Sequence, residues 1–155
     1  MDSNPSTQIH VLSPESIKIM RQLLDVFGEV FEDSEGYCEK QPTDSYLQNL
    51  LSQGHFIAIA ATHFGKVIGG LTAYELQKFE QERSEIYIYD LGVLSHHRRQ
   101  GIATACIEKL VEIAAERGAY VVFVQADQGD EPAIALYSKL GAKEEVLHFD
   151  IAVRQ

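Results

Sequence analysis

Glu85-Ile86-Tyr87-Ile88-Tyr89-Asp90-Leu91-Gly92-Val93, followed closely by Arg98-Arg99-Gln100-Gly101-Ile102-Ala103-Thr104, decides how this chain of 155 residues folds. β-Branched and aromatic side chains make 85–93 the most strand-prone run in the sequence. Beyond it the period changes: Ile102, Cys106, Ile107, Leu110, Ile113 and Ala114 mark one face of a long helix, which Gly118 stops. Tyr120 to Val124 is strand-like and of a buried type. Strand, helix, strand in that order demands a parallel pair.

Working outward, Phe56–Ala61 and Val67–Leu76 are apolar strands joined by the turn-like His63-Phe64-Gly65-Lys66, so an antiparallel meander precedes the parallel pair. Gln8–Leu12 is a further short strand. Ser13-Pro14 reads as a helix cap with proline in the first turn, ahead of Ile17, Met20, Leu24, Phe27 and Phe31. A second helix starts at Pro42-Thr43, with Tyr46, Leu47, Leu50 and Leu51 inward. Glu131–Leu140 is a helix closed by Gly141, and Val146–Val153 reads as a last strand. The pattern predicts an α/β fold with a mixed central sheet and about four helices. Residues 1–8 read as a flexible tail and 9–155 as a single domain.

The 13 Lys and Arg against 23 Asp and Glu give a formal charge of −10. That balance disfavours nucleic acid, whose phosphates need clustered cations, and suits a cationic partner. No apolar run exceeds Phe56–Ala61, so no membrane association is expected. The polar start MDSNPSTQ lacks a signal-peptide layout. Cys38 and Cys106 form no CxxC, so a reducing, cytoplasmic location is expected. His96 and His97 are neighbours in a turn without ligand spacing to Cys or carboxylates, so no metal is expected.

The segment Arg98 to Thr104 has the chemistry of an anion site. The first N–H groups of a helix have no internal partner, and the helix dipole favours negative charge there. Gly101 and Ala103 keep side chains clear of the backbone, while Arg98, Arg99 and the Thr104 hydroxyl add contacts. Neither a GK[ST] nor a GxGxxG is present.

Arg98, Gly101 and Ala103 set in R-x-x-G-x-A resemble the signature of the GNAT superfamily of acyl-CoA-dependent N-acyltransferases. Asp127, Ala133, Tyr137 and Gly141 resemble the second half of its pattern, with Asp127 in place of the usual Asn and Ala142 in place of the usual Phe. FEQERSEIYIYDLGV, HRRQGIATA and VQADQGDEPAIALYSKLGAKEEVLHFDI are similar to the gentamicin 3-N-acetyltransferase group within it. The resemblance implies the GNAT fold, with the strand 85–93 splayed from its parallel neighbour. It implies acetyl-CoA as donor and the 3-amino group of an aminoglycoside antibiotic as acceptor, with resistance as the outcome. The implied donor-binding set is Leu91, Gly92, Val93, Arg98, Arg99, Gln100, Gly101, Ile102, Ala103, Thr104, Asp127, Ala133, Leu136 and Tyr137.

Making an amide from a thioester needs a neutral amine, a home for the oxyanion and a proton for the thiolate. Asp90, a lone carboxylate in an apolar strand, is the candidate for the first; burial is costly for it unless a partner such as an ammonium is supplied. A structural aspartate at a backbone kink is the other reading. Tyr137 is implied for the thiolate, against a plain core tyrosine, and the Val93 N–H for the oxyanion. Where some GNAT relatives carry an acidic base, this chain has Tyr89. Glu29, Glu32, Asp33, Glu35 and Glu39 crowd one stretch, with Phe31 and Tyr37 as apolar walls; Asp127, Asp130 and Glu131 crowd another. Together with Asp150, which lies near His148, these acids form a candidate funnel for a polycation, its contact set being Glu32, Asp33, Glu35, Tyr89, Asp90, Asp127, Asp130, Glu131 and Asp150. A homodimer is expected. Acetylation of a polyamine or peptide amine, or a non-catalytic acyl-CoA-binding module, are the alternatives.

Overall fold

The computed structural model describes residues 6–154, which fall into two compact units divided after Gln125. The first holds a five-stranded sheet: β1 (Thr7–Val11), β2 (Phe56–His63), β3 (Lys66–Gln77), β4 (Ser84–Val93) and β5 (Ala119–Val124), in that spatial order. The first three pairings are antiparallel and the β4–β5 pairing is parallel, as the sequence predicts. Phe64 and Gly65, both at positive φ, make the two-residue turn between β2 and β3, a geometry that matches the strand twist.

Burial follows the period of each element. Helix α1 (Ile17–Val30) turns Met20, Leu23, Val26 and Phe27 inward, and α2 (Asp44–Ser52) contributes Leu47 and Leu51 to the same cluster, against Phe56, Ala58 and Ala60 of β2. Alternation along β2 sends Ile57, Ile59 and Ala61 to the opposite face, where α3 (Ile102–Arg117) packs with Cys106, Leu110 and Ala114 buried. Each large side chain so buried contributes about 1.5–3 kcal/mol.

Four expectations are corrected. The tail predicted over 1–8 lies outside the described residues up to residue 5, and Thr7 and Gln8 already pair with β2. Ser13-Pro14 does not cap α1: Ser13 accepts from the Ser16 N–H at 2.8 Å, closing a turn that delays the helix to Ile17. Strand β5 is not of a fully buried type. It ends the sheet, and Tyr120 and Val121 are exposed.

The fourth correction lies in the second unit. Its helix α4 (Glu131–Leu140) has the predicted limits, with the Asp130 side chain accepting from the Ala133 N–H at 3.3 Å and Gly141 closing it. No strand forms over Val146–Val153, although the alternation is present. A strand exists only through its pairing, and among the described residues none pairs with 146–153. Among the described residues no helix is long and apolar enough to cross a membrane, and no cluster of three or more His, Cys, Asp or Glu is arranged to hold a metal.

Candidate active site

Asp90 owes its position to an irregularity in β4. Tyr87 pairs with Tyr74, Ile88 with Ala73, and then Asp90, not Tyr89, pairs with Thr72. The extra residue is a β-bulge, which re-aims the side chains that follow it. Strict alternation would place Asp90 with Ile86 and Ile88, which are buried. The bulge instead carries it to the face of its cross-strand neighbours Thr72 and Tyr74. There it lines a cleft of about 170 Å³ with Met20, Phe27, Tyr37, Tyr74 and Tyr89 among its walls.

Among the described residues, one side chain hydrogen-bonds to the carboxylate. Tyr37 donates from its hydroxyl to Asp90 Oδ2 at 2.8 Å. Tyr37 stands on a π-helical turn, Glu35–Glu39, that packs against α1 at Gly28; a Cβ on Gly28 would collide with Cys38 Sγ, so the close approach needs glycine. Phe27 and Phe31 flank the Tyr37 ring at 6.0 and 5.7 Å. Burial pushes the Asp90 carboxyl above the usual carboxylate range, and the Tyr37 hydrogen bond opposes that rise. Burial, then the hydrogen bond to Asp90, hold the Tyr37 phenol well above its ordinary value.

The sheet opens beside this cleft. Pairing between β4 and β5 ends at Ile88 with Val124, leaving Tyr89 to Val93 without a partner on the β5 side. The Leu94 N–H donates to Ile68 of β3, so backbone alternation directs the Val93 N–H to the opposite, open side. Leu91 and Gly92 lie along the same open stretch.

The basic turn follows directly. Arg98 Nε donates to the Val93 carbonyl at 3.2 Å, and Arg99 and Gly101 take positive φ before α3 begins at Ile102. No side chain caps this helix start, so the N–H groups of its first turn, Ile102, Ala103 and Thr104, are unclaimed. The space a Cβ on Gly101 would enter holds no atom within 4 Å. Free donors, exposed arginines and open room at a helix N-terminus fit the pyrophosphate of an acyl-CoA.

The structure brings Tyr89 and Asp90 together on the cleft. It does not bring Glu32, Asp33 or Glu35 to it: none lines it, Glu32 takes φ +53°, and Asp33 accepts the Gly36 N–H at 3.0 Å to shape the π-helical turn. In the second unit, Asp127, Gln128 and Gly129 form the turn before α4, Asp130 caps it, and Glu131 lies in its first turn. Ala133, Leu136 and Tyr137 are on α4, partly buried, and burial followed by Asp130 pushes the Tyr137 phenol up to about 12. Asp150 pairs with His148 at 2.8 Å, both exposed. The role of Tyr37 escaped the sequence reading, which made it an apolar wall; 53 residues separate it from Asp90, and no local pattern links them.

A carboxylate in an aromatic cleft, an opened strand edge and an uncapped helix start thus lie along β4 and the turn that follows it. The chain belongs to the acetyltransferase (GNAT) family, whose model matches residues 19–142, and is an acetyltransferase. Members of that family use acetyl-CoA. Among curated proteins it is similar to Probable N-acetyltransferase san of Drosophila melanogaster, 26% identical over 137 residues, covering 88% of this chain and 67% of that protein. It is also similar to N-acetyltransferase 8 of Homo sapiens, 30% identical over 79 residues, 51% of this chain and 35% of that protein. The chain thus spans about half or less of its mammalian relatives' length. Among solved structures, an aminoglycoside acetyltransferase from an uncultured soil metagenomic sample shares 60% identity with a TM-score of 0.95, covering 96% of this chain and 99% of that one. A second soil-metagenome aminoglycoside acetyltransferase, in complex with sisomicin, shares 33% identity with a TM-score of 0.89, covering 96% and 97%.

Proposed function

We propose that this acetyltransferase moves acetyl from acetyl-CoA directly to the 3-amino group of a gentamicin-type aminoglycoside, conferring resistance. The reading is carried by the 60% identity, over 96% of the chain, to a soil-metagenome aminoglycoside acetyltransferase. The sisomicin complex of the 33% identical neighbour supports it. The cleft is suited to such a ligand: Asp90 can pair with an ammonium, and the rings of Tyr37, Tyr74 and Tyr89 offer faces to sugar rings.

Acetyl-CoA supplies the acetyl group as a thioester, its pyrophosphate held by the N–H groups of Ile102, Ala103 and Thr104 with Arg98 and Arg99. Asp90 takes the proton of the bound ammonium, directly or through one water, and the freed lone pair attacks the carbonyl carbon. The Val93 N–H donates to the carbonyl oxygen as charge builds on it. The N–C bond forms and the C–S bond breaks. Tyr137, whose phenol is pushed up to about 12, gives its proton to the departing sulfur, and the second proton shed by the acylated nitrogen restores the phenol. Glu32, Asp33 and Glu35 act at longer range, and Asp127, Asp130, Glu131 and Asp150 add to the negative charge that attracts a polycation.

A thiol-release assay with acetyl-CoA against gentamicin, kanamycin, spermidine and a short peptide tests the reading, with NMR of the product to locate the acetyl group. Gentamicin should turn over fastest and carry acetyl on the 3-amino nitrogen. Preference for spermidine or the peptide, or acetyl at another nitrogen, overturns it.

A further inference from the structure

We infer that Tyr37 is a positioning residue that acts through Asp90: its hydroxyl anchors Oδ2 and leaves Oδ1 for the acceptor amine. The inference rests on the proposed role of Asp90 and adds a residue to it.

The geometry carries it. Tyr37 approaches from the π-helical turn and Asp90 from the bulge of β4, so two irregular elements, far apart in sequence, meet in one 2.8 Å hydrogen bond. Oδ1 has no protein partner, and among the described residues no buried side-chain oxygen lacks one, so Oδ1 is open to solvent. Anchoring one oxygen fixes the direction in which the other presents its lone pairs. The Tyr37 ring is itself held by Phe27 and Phe31, so the donor is set before any ligand arrives.

The groups that face Asp90 are all phenols. Tyr37 comes from the π-helical turn, Tyr74 from β3, and Tyr87 and Tyr89 from β4, and the Asp33 charge acts in turn on Tyr37. Desolvation dominates the Asp90 carboxyl and raises it; the Tyr37 hydrogen bond is the one opposing contribution. Removing that hydroxyl therefore moves the carboxyl further up, and the protonated, inactive form persists to higher pH.

Tyr37→Phe tests this, since the ring contacts with Phe27 and Phe31 do not use the hydroxyl and the fold is kept. Two readouts are needed. The first is a carboxyl-¹³C NMR titration of the free protein, the Asp90 signal assigned by its loss in Asp90→Asn; it requires no substrate, so it stands whether or not aminoglycosides are the acceptors. The Asp90 midpoint should move to higher pH in Tyr37→Phe. The second is a double-mutant cycle on kcat/KM with whichever amine turns over. Tyr37→Phe should cost roughly tenfold with Asp90 present, move the acidic limb upward, and cost little in the Asp90→Asn background. An unmoved titration, or an equal penalty in both backgrounds, overturns the inference and leaves Tyr37 a wall of the cleft.

Discussion

Arg98 Nε donates to the Val93 carbonyl oxygen at 3.2 Å, fastening the basic turn to the last residue of β4. The proposed donor anchor and the proposed oxyanion donor are thereby tied to each other through one residue. The Val93 carbonyl holds the arginine, and its own N–H points to the open edge. A shift of the turn would move both, so the proposed roles of the turn and of the Val93 N–H are mechanically linked.

The turn itself is tested at Gly101. Gly101→Glu puts a carboxylate into the open space beside the first N–H groups of α3, at a φ of +77° that disfavours any side chain. Acetyl-CoA binding should weaken by about 2–4 kcal/mol through repulsion and blocked donors. Calorimetry giving an unchanged affinity, with the fold intact, refutes this placement of the pyrophosphate.

Asp90 and Tyr137 should separate kinetically. Tyr137→Phe should lower kcat with little effect on either KM, because its proton matters only as the thiolate develops. Asp90→Asn should lower kcat and also raise KM for the cationic acceptor. The pH dependence follows from the two environments. Burial holds the Asp90 carboxyl above the usual carboxylate range, so kcat/KM should fall on acidification at a pH higher than an exposed aspartate would give. Burial pushes the Tyr137 phenol up to about 12, so no falling limb should appear between pH 7 and 10, and one that vanishes in Tyr137→Phe contradicts the raised phenol.

Glu32, Asp33 and Glu35 do not line the cleft, so the role proposed for them is that of a field. Changing all three to Gln, Asn and Gln keeps an acceptor for the Gly36 N–H that Asp33 now holds. KM for gentamicin should rise several-fold while kcat and KM for acetyl-CoA hold, and added salt should close the gap, since screening acts within about 8 Å at physiological ionic strength. A gap indifferent to salt, or no gap, reduces this loop to solvated surface.

Stability has its own titration. Burial raises the Glu75 carboxyl, but the Ser84 hydroxyl and Arg117, each at 2.7 Å, outweigh it and hold the group below its ordinary value. A depressed carboxylate stabilises the fold above its unfolded-state pKa, and that contribution is lost as pH falls through the folded-state value. Arg117→Met should cost about 1–2 kcal/mol at pH 7, moderated because the arginine is partly exposed. Denaturant melts at falling pH should show the difference from wild type shrinking; a constant difference contradicts the linkage.

Much of this was legible in sequence because it is local. The period change after Val93 and the small residues from Gly101 fixed the strand, turn and helix N-terminus, and those alone define the basic turn. The Asp130 cap and Gly141 stop fixed α4 for the same reason. The GNAT resemblance rested on these local motifs, and the family match over residues 19–142 agrees with it.

Pairing decided the rest. Alternation read from Ile86 and Ile88 would have sent Asp90 to the buried face; the bulge against Thr72 and Ala73 reversed it, and a bulge is a property of two strands in register. The Tyr37 hydroxyl reached Asp90 only because Gly28 lets the π-helical turn close onto α1. At the other end, Val146–Val153 kept its alternating side chains without becoming a strand, since alternation marks a face and only a partner's backbone makes a ladder. Local sequence marked Asp90 and the basic turn as candidates; tertiary pairing decided which way Asp90 points and that Tyr37 meets it.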